Sequence, residues 1–313
     1  MLFKNLVFHR LPADWTLSAA DLESALTARV LRPCGPFDMS TRGWVPVTHG
    51  GRLVHTVGRQ HLVALGVDEK LLPASVVRQV AQERADVQAA EQGFPVGRKQ
   101  MRDLKLRVAD ELRARAFTRR RVTRAWFDSV GGWFAVDASS IPRAEAVVET
   151  LSDTLGSFAP QPIETARSPQ LTMASWLLRA TPQRLSIDDE LELQSADQTK
   201  SVVRYVRHPL DGKEIRGHLA AGKYPTRIGL TWNDRIAFVL TDKLQVKRLE
   251  FLDLGQEPAG DAEVDAAEQF DIDFTVMAGE LGALLADLTA SLGTGPDAEA
   301  EWRAPAESRS RVA

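Results

Sequence analysis

Apolar residues recur along this chain with two spacings, one of three to four residues and one of two residues. The first spacing places apolar side chains on one stripe of a helix. One such stripe lies in a strongly basic stretch and comprises Met101, Leu104, Val108 and Leu112. Together with Ser or Pro start signals and Gly stop signals, this spacing predicts helices over residues 18–30, 73–92, 98–124, 142–156, 211–221 and 278–292, and a short helix about Trp176.

The two-residue spacing predicts strands, because alternate side chains of a strand face opposite sides of a sheet. Gly131 and Gly132 lie between two aromatic, β-branched runs and indicate a hairpin. The Pro- and Gly-rich residues 33–46 are predicted to form a turn-rich connector. Strands are predicted over residues 3–10, 53–57, 61–65, 122–128, 133–137, 190–193 and 201–207, and a meander over 227–232, 236–240 and 245–252.

Helices and strands follow one another without regular βαβ alternation, so the predicted fold class is α+β, with mixed sheets and helices. Several prolines between residues 158 and 169 predict a joint. The expected organisation is therefore an N-terminal α+β lobe over residues 1–160, which carries the basic helix 98–124, and a C-terminal α+β lobe over 161–293. Residues 294–313 are rich in Gly, Pro, Ala and Glu and are expected to be disordered.

Charge is distributed unevenly along the chain. The net charge is −3, with 44% hydrophobic and 26% charged residues, which is ordinary for a soluble globular protein. Residues 98–124, here the first basic tract, have eleven bases and three acids. Residues 200–248, the second basic tract, have eleven bases and four acids, whereas residues 256–301 have twelve acids and no base. This pattern predicts a polarised molecule that binds a polyanion.

Guanidinium and ammonium groups are the natural partners of phosphate oxygens, since they stay charged at working pH. An ordinary solvated helix or strand face is the alternative interpretation of both tracts. Neither tract has the signature of a sequence-reading domain, so contacts to phosphate alone are expected. The candidate DNA contacts are Arg98, Lys99, Arg102, Arg119 and Arg120 in the first tract, and Arg204, Arg207, His208, Lys213, Lys223 and Arg227 in the second.

Catalytic motifs are absent from the sequence. It contains no HExxH, no GxSxG and no Walker loop. Asp271, Asp273 and Glu280 are the nearest candidates for a metal cluster, although solvated charges are the simpler interpretation. The acids at residues 188–190 are predicted to lie in a loop and are interpreted in the same way. We therefore expect no enzyme activity, no metal and no cofactor, with a metal-dependent DNA-processing enzyme as an alternative.

The single cysteine, Cys34, excludes an intramolecular disulfide and a multi-cysteine zinc site, and it is consistent with a reducing compartment. No stretch approaches 18 apolar residues, and the N-terminus lacks the pattern of a secretory signal. The expected location is the cytoplasm, with no membrane partner.

Several separated segments, in order, resemble the recombination-associated RdgC family over about residues 1–293. They are MLFKNLVFHRL at the start, PCGPFDMSTRGWVP at 33–46, LLPASVV at 71–77, LRARAF at 112–117, WFDSV at 126–130, VDASSIPRAE at 136–145 and FDIDFTVMAGELGALLADL at 270–288.

This resemblance implies a nucleoid-associated protein whose curved, multi-lobed subunits pair into a ring-shaped homodimer around double-stranded DNA, with single-stranded DNA as an alternative ligand. It also implies binding that is largely indifferent to sequence and that restrains RecA-promoted strand exchange. Phe117, in the LRARAF motif, would lie at a subunit contact that acts as a gate for DNA. Val206 stands where relatives have a base, whereas Arg207 retains the charge. A module that binds RecA directly, with DNA incidental, stays open as a further alternative.

Overall fold

The computed structural model describes residues 3–48, 51–252 and 265–293, and within these ranges it contains seven helices and eleven strands. The predicted α+β class is confirmed. The helices are α1 (Ala19–Thr27), α2 (Ala74–Gln92), α3 (Arg98–Arg115), α4 (Ile141–Leu155), α5 (Pro169–Leu178), α6 (Lys213–Ala220) and α7 (Ala266–Ser291). The strands are β1 (Val7–Arg10), β2 (Ser40–Val45), β3 (Val54–Val57), β4 (Gln60–Lys70), β5 (Thr118–Asp128), β6 (Trp133–Val136), β7 (Leu185–Ser195), β8 (Val202–Val206), β9 (Lys223–Trp232), β10 (Ile236–Thr241) and β11 (Val246–Phe251).

The first sheet is antiparallel and has the order β1-β6-β5-β4-β2, with β3 also paired to β4. Strands β4 and β5 pair along their whole length, from Gln60 opposite Asp128 to Lys70 opposite Thr118. One face of this sheet packs against α1 and α4. The core on that face includes Leu22, Leu26, Trp44, Phe127, Phe134, Val147 and Leu151.

The second sheet is also antiparallel, with the order β11-β10-β9-β7-β8. Its inner face, the remaining face of the first sheet and α7 share one apolar core. Trp126 from the first sheet, Leu230 from the second and Leu285 from α7 all belong to that core and are fully buried.

A short N-terminal segment joins the two sheets. Leu6 exchanges two backbone hydrogen bonds with Val246 of β11, at 2.7 and 3.1 Å. The next residue, Val7, pairs with Val136 of β6. The lobe boundary near residue 160 stays a prediction, and the core that the two sheets share spans it.

Most predicted elements are confirmed. Ser18 is the N-cap of α1, and its Oγ accepts the Asp21 backbone N–H at 3.2 Å. The β5–β6 hairpin is present about Gly131 and Gly132. Asn233 and Asp234, in the turn between β9 and β10, adopt the left-handed φ values of 51° and 56° that a tight hairpin turn requires.

The predicted basic helix over residues 98–124 is wrong over its last nine residues. Helix α3 ends at Arg115, where Ala116 takes an extended ψ of 140°. Thr118 then begins β5, because β4 offers a backbone partner to each of its 11 residues. Tertiary pairing therefore outweighs the helical preference of an arginine run.

Three further predictions are corrected. The connector predicted over residues 33–46 contains β2, which pairs with β4 through six residues. Residues 188–190 lie in β7, where a bulge interrupts the pairing with β9, and not in a loop. Helix α7 begins at Ala266, twelve residues before the predicted start at Ala278. The predicted disordered tail, 294–313, lies outside the described residues.

None of the helices in the described ranges combines the length and apolar character that a bilayer crossing demands.

A close backbone approach at Gly43 should make that position intolerant of a side chain. A Cβ atom there would lie 2.5 Å from the backbone N and 2.6 Å from the Cα of Leu31. We expect Gly43→Ala to lower the free energy of unfolding by about 2 kcal/mol or more, measured by urea denaturation, because backbone atoms cannot rotate away. Gly217→Ala is the matched control, since no neighbouring atom lies within 4 Å of its Cβ. It should be neutral or stabilising, and equal losses in both variants would contradict the steric argument.

Candidate nucleic-acid interface

Helix α3 forms an antiparallel hairpin with α2. Val108 is fully buried in this hairpin, and Ala81 and Ala85 of α2 are buried as well. Arg84 of α2 donates two hydrogen bonds to the carboxylate of Glu111, at 3.0 and 2.6 Å. Val108, in the predicted apolar stripe of α3, therefore faces the partner helix.

Three predicted DNA contacts, Arg98, Lys99 and Arg102, lie in the first two turns of α3 and are exposed. Within the described ranges no carboxylate forms an ion pair with any of them. The Gln100 side chain accepts the backbone N–H of Gly97 at 2.9 Å and caps the helix start. Because the positive end of the helix dipole lies here too, this end of α3 is suited to bind an anion.

The other two predicted contacts of the first tract are neutralised across the first sheet. Arg120 donates two hydrogen bonds to Asp68, at 2.7 and 2.8 Å. Arg119 and Arg121 both pair with Glu69, at 3.3 and 3.0 Å. In the β4–β5 register Asp68 lies directly opposite Arg120 and Glu69 directly opposite Arg119. Hydrogen bonding from Arg120, assisted by its charge, holds the pKa of the Asp68 carboxyl below its usual value although burial opposes the shift.

In the second tract, Arg204 and Arg227 converge on one carboxylate. Glu192 of β7 lies opposite Arg204 of β8 on one side and Arg227 of β9 on the other. The Arg204 Nε donates to Glu192 at 2.9 Å, and the Arg227 Nε lies 3.8 Å from it. Burial acts to raise the pKa of Glu192, but hydrogen bonds from Arg204 and Thr226 and the charge of Arg227 lower it overall.

Lys247 of β11 lies near other bases of the second sheet. Burial is the main cause that lowers the pKa of Lys247, and the charges of Arg227 and Lys243 lower it further. Glu190 reaches Arg248 of β11 in a further ion pair. The bases on this face therefore outnumber the acids that pair with them.

The remaining candidates of the second tract follow β8 or begin the next elements. Arg207 and His208 are exposed directly after β8, Lys213 begins α6, and Lys223 begins β9 half-buried. Within the described ranges none of the four has a carboxylate partner. Arg207 has a left-handed φ of 54°, and the backbone N–H of His208 donates to the backbone oxygen of Asp189 at 3.1 Å. This bend turns the chain out of the sheet at the position where the basic side chains are presented.

The sequence interpretation missed the acids that balance these bases. Asp68, Glu69 and Glu192 are the principal ones. Glu192 and Arg204 lay in predicted strands, but pairing them requires the register in advance. Asp68 and Glu69 lay outside the predicted strands, so nothing in the sequence pointed to them.

Phe117, the predicted gate residue, lies between α3 and β5, and its side chain is 85% exposed. Its backbone oxygen accepts the Leu71 N–H at 2.8 Å. A large ring directed to solvent from an anchored backbone is typical of an interface residue.

The three acids considered as a metal cluster have separate partners. Asp271 lies 3.3 Å from His55, Asp273 accepts a hydrogen bond from Gln269 at 2.7 Å, and Glu280 pairs with Arg235. Among the described residues no group of three His, Cys, Asp or Glu side chains could hold a metal ion. Positions 271 and 273 are about 200° apart around a helix, so they cannot face a common ion.

The fold and these surfaces define an α+β protein of two antiparallel sheets with exposed bases at the start of one helix and beyond the edge of the second sheet. Sequence comparison identifies the family. The family model described as "Putative exonuclease, RdgC" matches residues 1–295, and the chain belongs to the RdgC family.

Relatives named "Recombination-associated protein RdgC" match nearly the whole chain. The protein from Dechloromonas aromatica (strain RCB) is 46% identical over 297 residues, covering 94% of this chain and 98% of the relative. The protein from Cupriavidus pinatubonensis is 45% identical over 294 residues, with the same shares covered. The protein from Burkholderia ambifaria is 42% identical, covering 94% of this chain and 96% of the relative.

The Asp68–Arg120 pair should make the free energy of unfolding depend on pH. Because the folded-state pKa of Asp68 is lowered, its carboxylate stabilises the folded protein above the unfolded pKa of about 4, and this contribution disappears as the pH falls through the folded value. We expect the difference in unfolding free energy between the wild type and Asp68→Asn to shrink as the pH falls from about 6 to about 3, measured by urea denaturation.

The exposed pair of Asp153 with Arg29 provides the control for this series, since both side chains are about half exposed. Asp153→Asn should alter stability little at any pH, as is usual for surface ion pairs. A constant difference between the wild type and Asp68→Asn across the series would contradict the assignment.

Proposed function

We propose that this protein binds double-stranded DNA without sequence preference, as a homodimeric ring, and so restrains RecA-promoted strand exchange. The observation that carries the proposal is a set of exposed bases with no carboxylate partner among the described residues. It comprises Arg98, Lys99 and Arg102 at the start of α3, and Arg207, His208 and Lys213 next to β8. The half-buried Lys223 at the start of β9 belongs to the same set.

The distribution of ion pairs supports a phosphate-binding role for this set over the paired arginines. A phosphate that contacts Arg120 must compete with the two hydrogen bonds from Asp68. A phosphate that contacts Arg98 or Arg207 displaces only water and mobile counterions. Release of those counterions is a major source of non-specific affinity for DNA. We therefore assign the principal contacts to the unpaired set and a secondary, screened contribution to Arg119, Arg120, Arg204 and Arg227.

Dimer formation follows from the same proposal. Two copies of each basic surface, arranged by a two-fold axis, would double the number of phosphates neutralised. Phe117 is the proposed aromatic contact between subunits, since it is the most exposed large apolar side chain in the described residues. A ring that opens and closes at this contact would admit DNA and then retain it.

The recombination-associated names of the relatives support DNA as the target. Occupancy of duplex DNA by a ring would remove the substrate on which RecA-promoted exchange proceeds. We place the protein in the cytoplasm, on the nucleoid. Direct binding to RecA is the competing explanation, and it predicts a complex that survives treatment with DNase.

Affinity should fall steeply with salt and be similar on unrelated sequences. On three unrelated duplexes of about 40 base pairs, fluorescence anisotropy should give parallel log-log plots of affinity against salt. We expect Arg207→Ala and Lys223→Ala to weaken binding equally on all three duplexes and to lower the slope by roughly one unit per lost phosphate contact, or about two per dimer.

Arg29→Ala is the charge-matched control, because Arg29 is exposed and paired with Asp153 outside both basic tracts. Its salt slope should stay at the wild-type value. A preference of one duplex by orders of magnitude, or an affinity insensitive to salt, would overturn phosphate-based binding.

We propose that the protein has no catalytic role. Because the description of the family model names an exonuclease, this part of the proposal needs a direct test. Linear and supercoiled plasmid DNA incubated with the protein and Mg²⁺ or Mn²⁺ should remain intact on gels. Cleavage by the wild type that is lost in Asp273→Asn would replace the binding proposal with the nuclease alternative. Cleavage that persists in that variant would indicate a contaminating enzyme, which repurification of the protein would remove.

A further inference from the structure

The last residue of β4, Lys70, is a buried lysine with an unusual set of partners. Its side chain is only 6% exposed, and its Nζ donates to the backbone oxygen of Arg113 at 2.7 Å. The Pro36 oxygen lies 3.5 Å from the same Nζ. Within the described ranges no carboxylate pairs with it. A buried ammonium is costly unless other groups compensate.

The compensation comes from the end of α3. Arg113 lies two residues before the final residue of α3, where backbone oxygens lack the usual partner four residues on, and its oxygen otherwise accepts only the Ala116 N–H at 3.3 Å. The negative end of the helix dipole lies at the same place and stabilises a cation. Lys70 is therefore a tertiary C-terminal cap that ties α3 to the first sheet.

Three polar contacts connect the end of β4 to the segment that carries Phe117. Lys70 binds the backbone of Arg113, the Leu71 N–H donates to the oxygen of Phe117, and Asp68 binds Arg120. The segment is thus held before, at and after Phe117. The ring itself is left 85% exposed.

The same lysine also holds a second exposed aromatic residue. Phe37 is 81% exposed and lies between Pro36, whose oxygen faces the Lys70 Nζ, and Met39. The Met39 oxygen accepts the Lys70 backbone N–H at 2.8 Å. Lys70 thus links the loop of Phe37 and the segment of Phe117 through its main chain and its side chain.

We propose that Lys70 is a positioning residue for the subunit contact, which fixes the direction in which Phe117 is presented to a second copy of the chain. This inference rests on the proposed dimer. It assigns to a buried lysine a role in assembly that the position of Phe117 alone does not reveal. An uncharged side chain of similar length would leave the Arg113 oxygen with only the longer bond from the Ala116 N–H and would let the end of α3 move.

The test is a double-mutant cycle on self-association, measured by sedimentation velocity across a concentration series. Phe117→Ala should weaken the dimer about tenfold or more, as for a central aromatic contact. Lys70→Met should weaken it by a similar factor. The double variant should differ from Phe117→Ala alone by no more than about twofold, because Lys70 acts through Phe117. Lys70→Arg, which keeps the charge, should restore most of the association.

The controls separate this inference from the proposed dimer. If Phe117→Ala leaves association unchanged, the proposed subunit contact is wrong. If Phe117→Ala weakens the dimer while Lys70→Met does not, or if the two effects add, the contact stands and the role of Lys70 is wrong. Lys4→Met, at an exposed lysine of the N-terminal segment, should behave like the wild type.

A measurement on the wild type can overturn the proposal even if Lys70→Met fails to fold. Hydrogen exchange on a dilute, monomeric sample should show the Leu71 amide protected as strongly as the amides in the middle of β4, because it donates to Phe117. Rapid exchange at Leu71, with the centre of β4 protected, would show that the Phe117 segment is not held and would overturn the proposal.

Discussion

The pairing of β4 with β5 is the constraint on which the rest of the structure depends. Its register over 11 residues places Trp126 in the core shared with α7 and Phe127 in the core under α1 and α4. The same register sets Asp68 opposite Arg120 at the far end of the sheet. A slip of one residue would exchange the two faces of β5 and would move Arg120 away from Asp68. The apolar cores and the balance of surface charge are therefore fixed together.

Cross-strand pairing neutralises much of the charge on the two sheets. Arg120 is paired with Asp68 and Arg204 with Glu192, whereas Lys70 and Lys247 lie in strands without a carboxylate partner in the described residues. Bases at the starts of helices and beyond strand ends have no such partner in the described residues, and Arg98 and Arg207 are the clearest examples. An antiparallel ladder brings opposite charges face to face, whereas a helix start or a chain bend projects its side chains away from neighbours. The part of the charge available to a polyanion is thus determined by secondary structure rather than by the number of bases.

Much of the fold was predictable, because capping, turn and periodicity signals are local. The Ser18 cap and the Asn233–Asp234 turn were predicted from a few adjacent residues, and the structure confirms both. The errors arose where distant pairing decided the local state. Residues 118–124 became a strand because β4 pairs with them, and β2 formed in a connector for the same reason. The acidic partners of the bases in the candidate site were missed for the same reason, since Asp68 and Arg120 are 52 residues apart in sequence.

Sequence-indifferent binding is what this distribution of charge favours physically. Reading a base edge requires several side chains held rigidly toward a groove, usually from one recognition helix. Here the unpaired bases are spread over α3, α6 and the end of β8, on elements that belong to different parts of the fold. Such a spread can follow the regular spacing of phosphates along a duplex but cannot address a short run of bases. The segment of Phe117 is instead held at the end of β4, where Lys70 and Asp68 brace it. An anchored segment at the proposed subunit contact and dispersed charge along the proposed DNA path are together the properties that would let this protein enclose DNA without reading it.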